Sequence, residues 1–263
     1  PWSSELLEEM DLETSMSVYR DRFADAGDFT FFIVGNFTLE AIEPLVRSYL
    51  GGLPSIGRKE HWRNVGMEAP TGVVEKKVYR GIEQKSQSRL MFTGPFEYDG
   101  WRNNFELGAM TTVLQLKLRE VLREDLGGTY SVWVGGGASH FPEEDYQINL
   151  GFGCDPERVD ELTEVIFTQI DSLKNFGTTD LYITKVVENH KREHEVNLKE
   201  NGFWLNSLEA ADFHGLDPRQ VLRYPDMVDS LTVEAVQLAA QRYFNMDNYV
   251  RVVLYPEDFA ETD

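Results

Sequence analysis

One cysteine, Cys154, is all that the 263 residues carry, which excludes an intrachain disulfide and any zinc cluster built on cysteine. Long apolar runs are missing as well. No stretch approaches the ~18 to 20 consecutive apolar residues of a membrane span. Pro1-Trp2-Ser3-Ser4-Glu5 offers neither the basic segment nor the apolar core of an export signal. Membrane insertion is therefore not expected. Basic side chains are scarce, with 25 Lys and Arg against 45 Asp and Glu and a formal charge of -20. Such a field repels phosphate backbones, so nucleic acid is not an expected partner. The glycine clusters Gly135-Gly136-Gly137 and Gly151-Phe152-Gly153 lack the spacing and the following helix of a phosphate loop and read as turn or bulge glycines. Glu143-Glu144-Asp145 reads as a solvated hairpin tip, because a calcium loop needs more widely spaced oxygen ligands.

What is present is the balance of an ordinary globular protein, 41% hydrophobic and 27% charged, enough for one or two domains with a sizeable core. The chain opens at Pro1 in an amphipathic stretch already under way, and it reads as a piece of a longer polypeptide. On that reading, the lack of a leader says nothing about compartment.

The pattern predicts an amphipathic helix over residues 15–26, then an apolar strand over 29–34 closed by Gly35-Asn36. A second helix follows, capped by Thr38, with Leu39, Ile42, Leu45, Val46 and Leu50 as its stripe and Gly51-Gly52 and Pro54 as its stop. Residues 53–72, with little periodicity, are the expected linker. Beyond it come two strands, 73–80 and 86–96, and a long helix from near Trp101 to about Glu124, apolar on so much of its circumference that it should be buried between layers. A hairpin is expected from residues 130–136 and 146–152. A helix opened by Asp155-Pro156-Glu157 should bury Val159, Leu162, Ile166, Ile170 and Leu173. Another long helix from Thr178 or Thr179 to about Asn201, a last helix after Thr232 and a strand over 248–255 complete the chain.

A constant offset of 220 relates Arg22-Phe23 to Arg242-Tyr243, Asp28-Phe29 to Asn248-Tyr249 and Ile33-Val34 to Val253-Leu254. Each copy is a helix, a short polar turn and an apolar strand. The repetition suggests that residues 1–52 are the tail of one domain and residues 73–263 a complete copy of a related one.

The run Leu122-Arg123-Glu124-Asp125-Leu126-Gly127-Gly128-Thr129-Tyr130-Ser131-Val132 resembles the arginine-to-tyrosine signature in the C-terminal half of zinc metallopeptidases of the insulinase and pitrilysin (M16) family. The order of elements around it, from Val34-Gly35-Asn36-Phe37 to Asn201-Gly202-Phe203-Trp204-Leu205, is similar to that of the four-domain bacterial zinc proteases over essentially the whole chain. This resemblance implies an α+β fold, an antiparallel or mixed sheet with helices packed on one face, of the LuxS/MPP-like metallopeptidase type. It implies two clam-shell halves in the parent, with zinc held by the N-terminal catalytic half and no cofactor in this piece. It also assigns Arg123 and Tyr130 to contacts with a peptide substrate near the scissile bond. The chemistry suits them: a guanidinium offers paired donors to a peptide carbonyl, and a phenol can hold an oxygen on which charge develops. Arg119, one turn earlier, is a further, weaker candidate for the same cleft. Without the resemblance, Arg123 is a favourable cation in a last helical turn and Tyr130 a strand aromatic.

His190-Lys191-Arg192-Glu193-His194 spells an inverted zinc motif, and on a helix His190 and His194 project together with Glu193 beside them. Against a metal there, Lys191 and Arg192 bring positive charge towards a dication, and only 69 residues follow in which an acidic third ligand would have to sit on a helix. The motif is expected to be two partly buried histidines on a charged helix.

The sequence thus points to the substrate-binding, non-catalytic part of a zinc-dependent endopeptidase, with a peptide substrate and the N-terminal catalytic half as partners. The competing readings are an inactive peptide-binding or assembly scaffold of the same fold, and a self-contained metalloenzyme using His190, Glu193 and His194. The resemblance suits a bacterial periplasm or cell envelope.

Overall fold

The computed structural model describes residues 3–66, 68–129 and 131–261. They form two compact units, one of residues up to Arg63 together with Asn201–Glu209, the other of Asn64–Glu200 with the residues from Ala210 onward.

The first unit holds helices α1 (Ser4–Glu8), α2 (Leu12–Phe23) and α3 (Leu39–Tyr49). Helix α2 starts three residues before the expected position because Asp11, not a later residue, caps it, accepting from Thr14 N–H at 2.7 Å. Thr38 caps α3 as expected, accepting from Ala41 N–H at 3.3 Å. The apolar run over residues 29–34 is extended, but it is not a strand: no ladder partner for it lies among the described residues. Its alternate side chains Phe29, Phe31 and Ile33 instead form one wall of a shallow groove with Ile42, Val46 and Leu50 of α3. Asp25 is buried and organises the following loop by accepting from the N–H groups of Gly27, Ile56 and Arg58. These bonds to the charged form hold its carboxyl below the ordinary carboxylate value.

The second unit is built on a five-stranded sheet of β1 (Val73–Tyr79), β2 (Ser86–Pro95), β3 (Ser131–Ser139), β4 (Asp145–Cys154) and β5 (Tyr249–Tyr255) in the order β1-β5-β2-β4-β3. Only β1 and β5 are parallel; β2 pairs antiparallel with both β4 and β5, and β3 with β4. The sheet is mixed, and helices cover one of its faces. Helix α4 (Arg102–Leu118) lies against β3 and beneath α5 (Val159–Phe176), α6 (Asp180–Asn197) and α9 (Val233–Tyr243). Layers on both sides explain why α4 is apolar nearly all round: Leu107, Met110, Val113, Leu114 and Leu118 are fully buried. The stripe Val159, Leu162, Ile166, Ile170 and Leu173 of α5 is buried as its spacing predicts. Each such side chain contributes about 1.5–3 kcal/mol of transfer free energy. Phe92 of β2 meets Phe244 edge to face at 5.1 Å, joining the sheet to the residue that ends α9.

Two helices lie where no separate elements were expected, α7 (Asn201–His214) and α8 (Gln220–Asp229). Helix α6 stops at Asn197, and the aromatic run Phe203-Trp204 belongs to the next helix. At the 220-residue offset, α2 finishes at Phe23 and α9 at Tyr243, but β5 has no strand counterpart over residues 29–34 among the described residues. No helix is long and apolar enough to cross a membrane among the described residues.

Candidate functional site

The signature run links α4 to β3. Helix α4 passes without a break into a π-helical turn over Arg119–Asp125, and the chain then closes through Leu126 N–H to Val121 O at 3.1 Å and Gly128 N–H to Leu122 O at 2.9 Å. Gly127 sits in the left-handed region at φ +55, which favours glycine. Gly128 is needed for a different reason: an added Cβ would stand 2.8 Å from Leu162 Cδ2 and 2.9 Å from Arg158 Nη1. Arg158 is itself held by Glu161 through two contacts of 3.0 and 2.9 Å. Next, the hydroxyl of buried Thr129 lies 2.7 Å from the Gly153 carbonyl and accepts from Ser131 N–H at 3.2 Å, which fixes the start of β3 opposite the end of β4. The two glycines therefore make the helix-to-strand turn. Tyr130 lies outside the described residues, and Arg123 is described only as a backbone position of the π-helical turn. Arg119, at the start of that turn, is exposed.

From Ser131 the alternation of β3 sends Val132 and Val134 towards the helices, and Ser131, Trp133, Gly135 and Gly137 to the opposite face. Among the described elements, no helix of this second unit packs on that face. Trp133 is 42% exposed there, and it borders three adjoining depressions of about 450, 230 and 360 Å³. Arg89 of β2 lines two of them, and Asn149 of β4 borders two. Gln147 donates to Asn149 Oδ1 at 3.1 Å, so the amides form a connected polar strip beside the indole. Strand β3 lies at the sheet edge, and one of its outward N–H groups, that of Val134, is taken by Gln115 Oε1 of α4 at 3.1 Å.

This face carries an indole, a guanidinium and carboxamides, groups that grip an extended peptide through stacking and hydrogen bonds. Among the described residues, it does not present a nucleophile beside a base. Cys154 is buried, and burial pushes its thiol up to about 11, so it stays protonated at neutral pH. Among the described residues, no group of three or more His, Cys, Asp or Glu side chains is placed to hold a metal ion.

His190 and His194 do share one face of α6, but that face packs on α8. His190 Nδ1 is 2.8 Å from the Tyr224 hydroxyl and its ring meets Phe105, while His194 is buried with its ring 5.0 Å from that of Tyr224. Glu193 accepts from Asn189 at 2.8 Å, and Lys191 pairs with Asp229 at 2.7 Å. Trp133, Arg89 and Asn149 were not singled out from the sequence. The available signal was an indole at one odd position of a strand whose other odd positions are serine and glycine.

Residues 13–189 match the family model described as the peptidase M16 inactive domain. A "Zinc protease PQQL-like" of Arabidopsis thaliana is 26% identical over 216 residues, which are 77% of this chain and 22% of that protein. A Haemophilus influenzae protein named "Probable zinc protease PqqL" is 29% identical over 182 residues, 66% of this chain and 18% of that one. The crystal structure of the periplasmic protease PqqL from Escherichia coli superposes with a TM-score of 0.80 at 22% identity, covering 93% of this chain and 27% of that one. The chain thus spans about a fifth of the length of the curated relatives it matches.

Proposed function

The chain belongs to the peptidase M16 inactive-domain family, and from that premise we propose that it is the substrate-contacting, non-catalytic part of a zinc-dependent endopeptidase. In this reading zinc and the bond-breaking chemistry reside in an N-terminal half of the same longer polypeptide, where metal-activated water attacks a peptide carbonyl. Residues 1–52 are the tail of the domain that precedes the sheet-bearing one, and the protease works in a bacterial periplasm or cell envelope.

The observation that carries the proposal is the position of Trp133. The signature run delivers the chain directly into β3, and three residues beyond Tyr130 an exposed indole stands on a sheet face bare of helices, flanked by Arg89 and Asn149. An extended peptide laid along that face would meet stacking and amide contacts, and the family resemblance assigns Arg123 and Tyr130 to contacts with the same peptide. Binding energy gained there is useful for catalysis when it holds the scissile bond in reacting geometry elsewhere. Kinetics of the longer polypeptide test it: Trp133→Ala should lower kcat/KM for a peptide by about 10-fold or more, with Trp133→Phe recovering much of the loss. Unchanged kcat/KM in Trp133→Ala would remove this face from the substrate path.

A further inference from the structure

His140 and His214 face each other in a way the peptidase reading does not use. His140 follows the last residue of β3 at the tip of the β3–β4 hairpin, and His214 is the last residue of α7. Their Nδ1 atoms lie 3.2 Å apart, with ring centroids at 5.4 Å. Two imidazole nitrogens this close cannot both carry a proton, so at least one presents a lone pair to the other.

Glu144 lies beside this pair. Its Oε1 is 3.5 Å from His140 Nε2, on the far side of the ring, a position that favours the tautomer with its lone pair at Nδ1. The same carboxylate accepts from Tyr98 N–H at 3.2 Å, and the Tyr98 ring stacks on His140 at 4.3 Å with an interplanar angle of 3°. The imidazole plane is thus fixed from two directions before any ligand arrives.

We propose that His140 and His214 form a two-histidine site for a divalent first-row transition cation of the Zn2+ type. A tetrahedral zinc with nitrogen ligands at 2.0–2.1 Å separates two of them by roughly 3.3 Å, the spacing found here. Glu144 is the carboxylate behind the ligand, the arrangement that orients metal-bound histidines and raises their basicity. The His140 side chain retains 25% exposure, so water can occupy the remaining positions. The cation would tie the hairpin tip to the end of a helix, a structural role separate from peptide cleavage.

Titration of the metal-free chain with Zn2+ by calorimetry at neutral pH tests this. The expected result is one equivalent taken up below millimolar Zn2+, weakened at least ~10-fold by His140→Ala and by His214→Ala, retained in His190→Ala, and weakened about 10-fold by Glu144→Gln. A rise in Tm on adding Zn2+ should follow the same pattern. His140→Asn, which keeps a polar group at the hairpin tip, serves if the alanine variant fails to fold. Absence of Zn2+ uptake by the wild-type chain below millimolar concentration overturns the proposal. So does uptake that survives substitution of both histidines.

Discussion

The indole of Trp133 rests against bare backbone. It is paired across the ladder with Gly151, where an added Cβ would stand 2.5 Å from Trp133 Nε1. Glycine at that position of β4 is what lets a large ring lie close to the sheet, and so gives the open face its shape.

Gly151→Ala should therefore displace the indole. The expected cost is about 1–3 kcal/mol, the usual range for overpacking, read as a lower urea midpoint with an unchanged m-value. Peptide turnover by the longer polypeptide should fall in parallel with the loss seen in Trp133→Ala. Wild-type stability together with wild-type turnover would show that the ring does not depend on Gly151.

Burial holds both His190 and His194 below the ordinary value of 6.5, with Glu193 partly opposing it at His190. The folded chain then binds fewer protons than the unfolded one between the depressed values and about 6.5. Stability from these histidines is fully present above about 6.5 and is lost as pH falls below it. Urea midpoints should drop as pH falls below about 6.5, and His190→Gln should shallow that slope. An identical slope in the variant would show that Tyr224 and Phe105 do not keep His190 neutral.

Much of the fold is legible in the sequence because its signals are local. The Thr38 cap, the five-residue stripe of α5 and the encircling apolar surface of α4 each follow from spacing alone. The stretch over residues 29–34 shows the limit: its composition is that of a strand, yet a strand exists only with a partner, and pairing is not written in one segment. Helix α8 was missed because Pro225 interrupts an otherwise helical pattern and reads as a breaker. The candidate site divides in the same way. The turn made by Gly127 and Gly128 can be read from residue type, whereas the exposure of Trp133 depends on which face of the sheet the helices cover, and that is settled only by the packing of α4, α5 and α9.

The most direct measurement is peptide hydrolysis by the longer polypeptide carrying Arg123→Ala or Tyr130→Phe, with zinc content determined alongside. The account predicts that kcat/KM falls by about 100-fold or more in each, the scale of losing a charged or oxyanion-directed contact, while zinc content stays at the wild-type level. Unchanged kcat/KM in both variants would contradict the claim that this chain contacts the substrate.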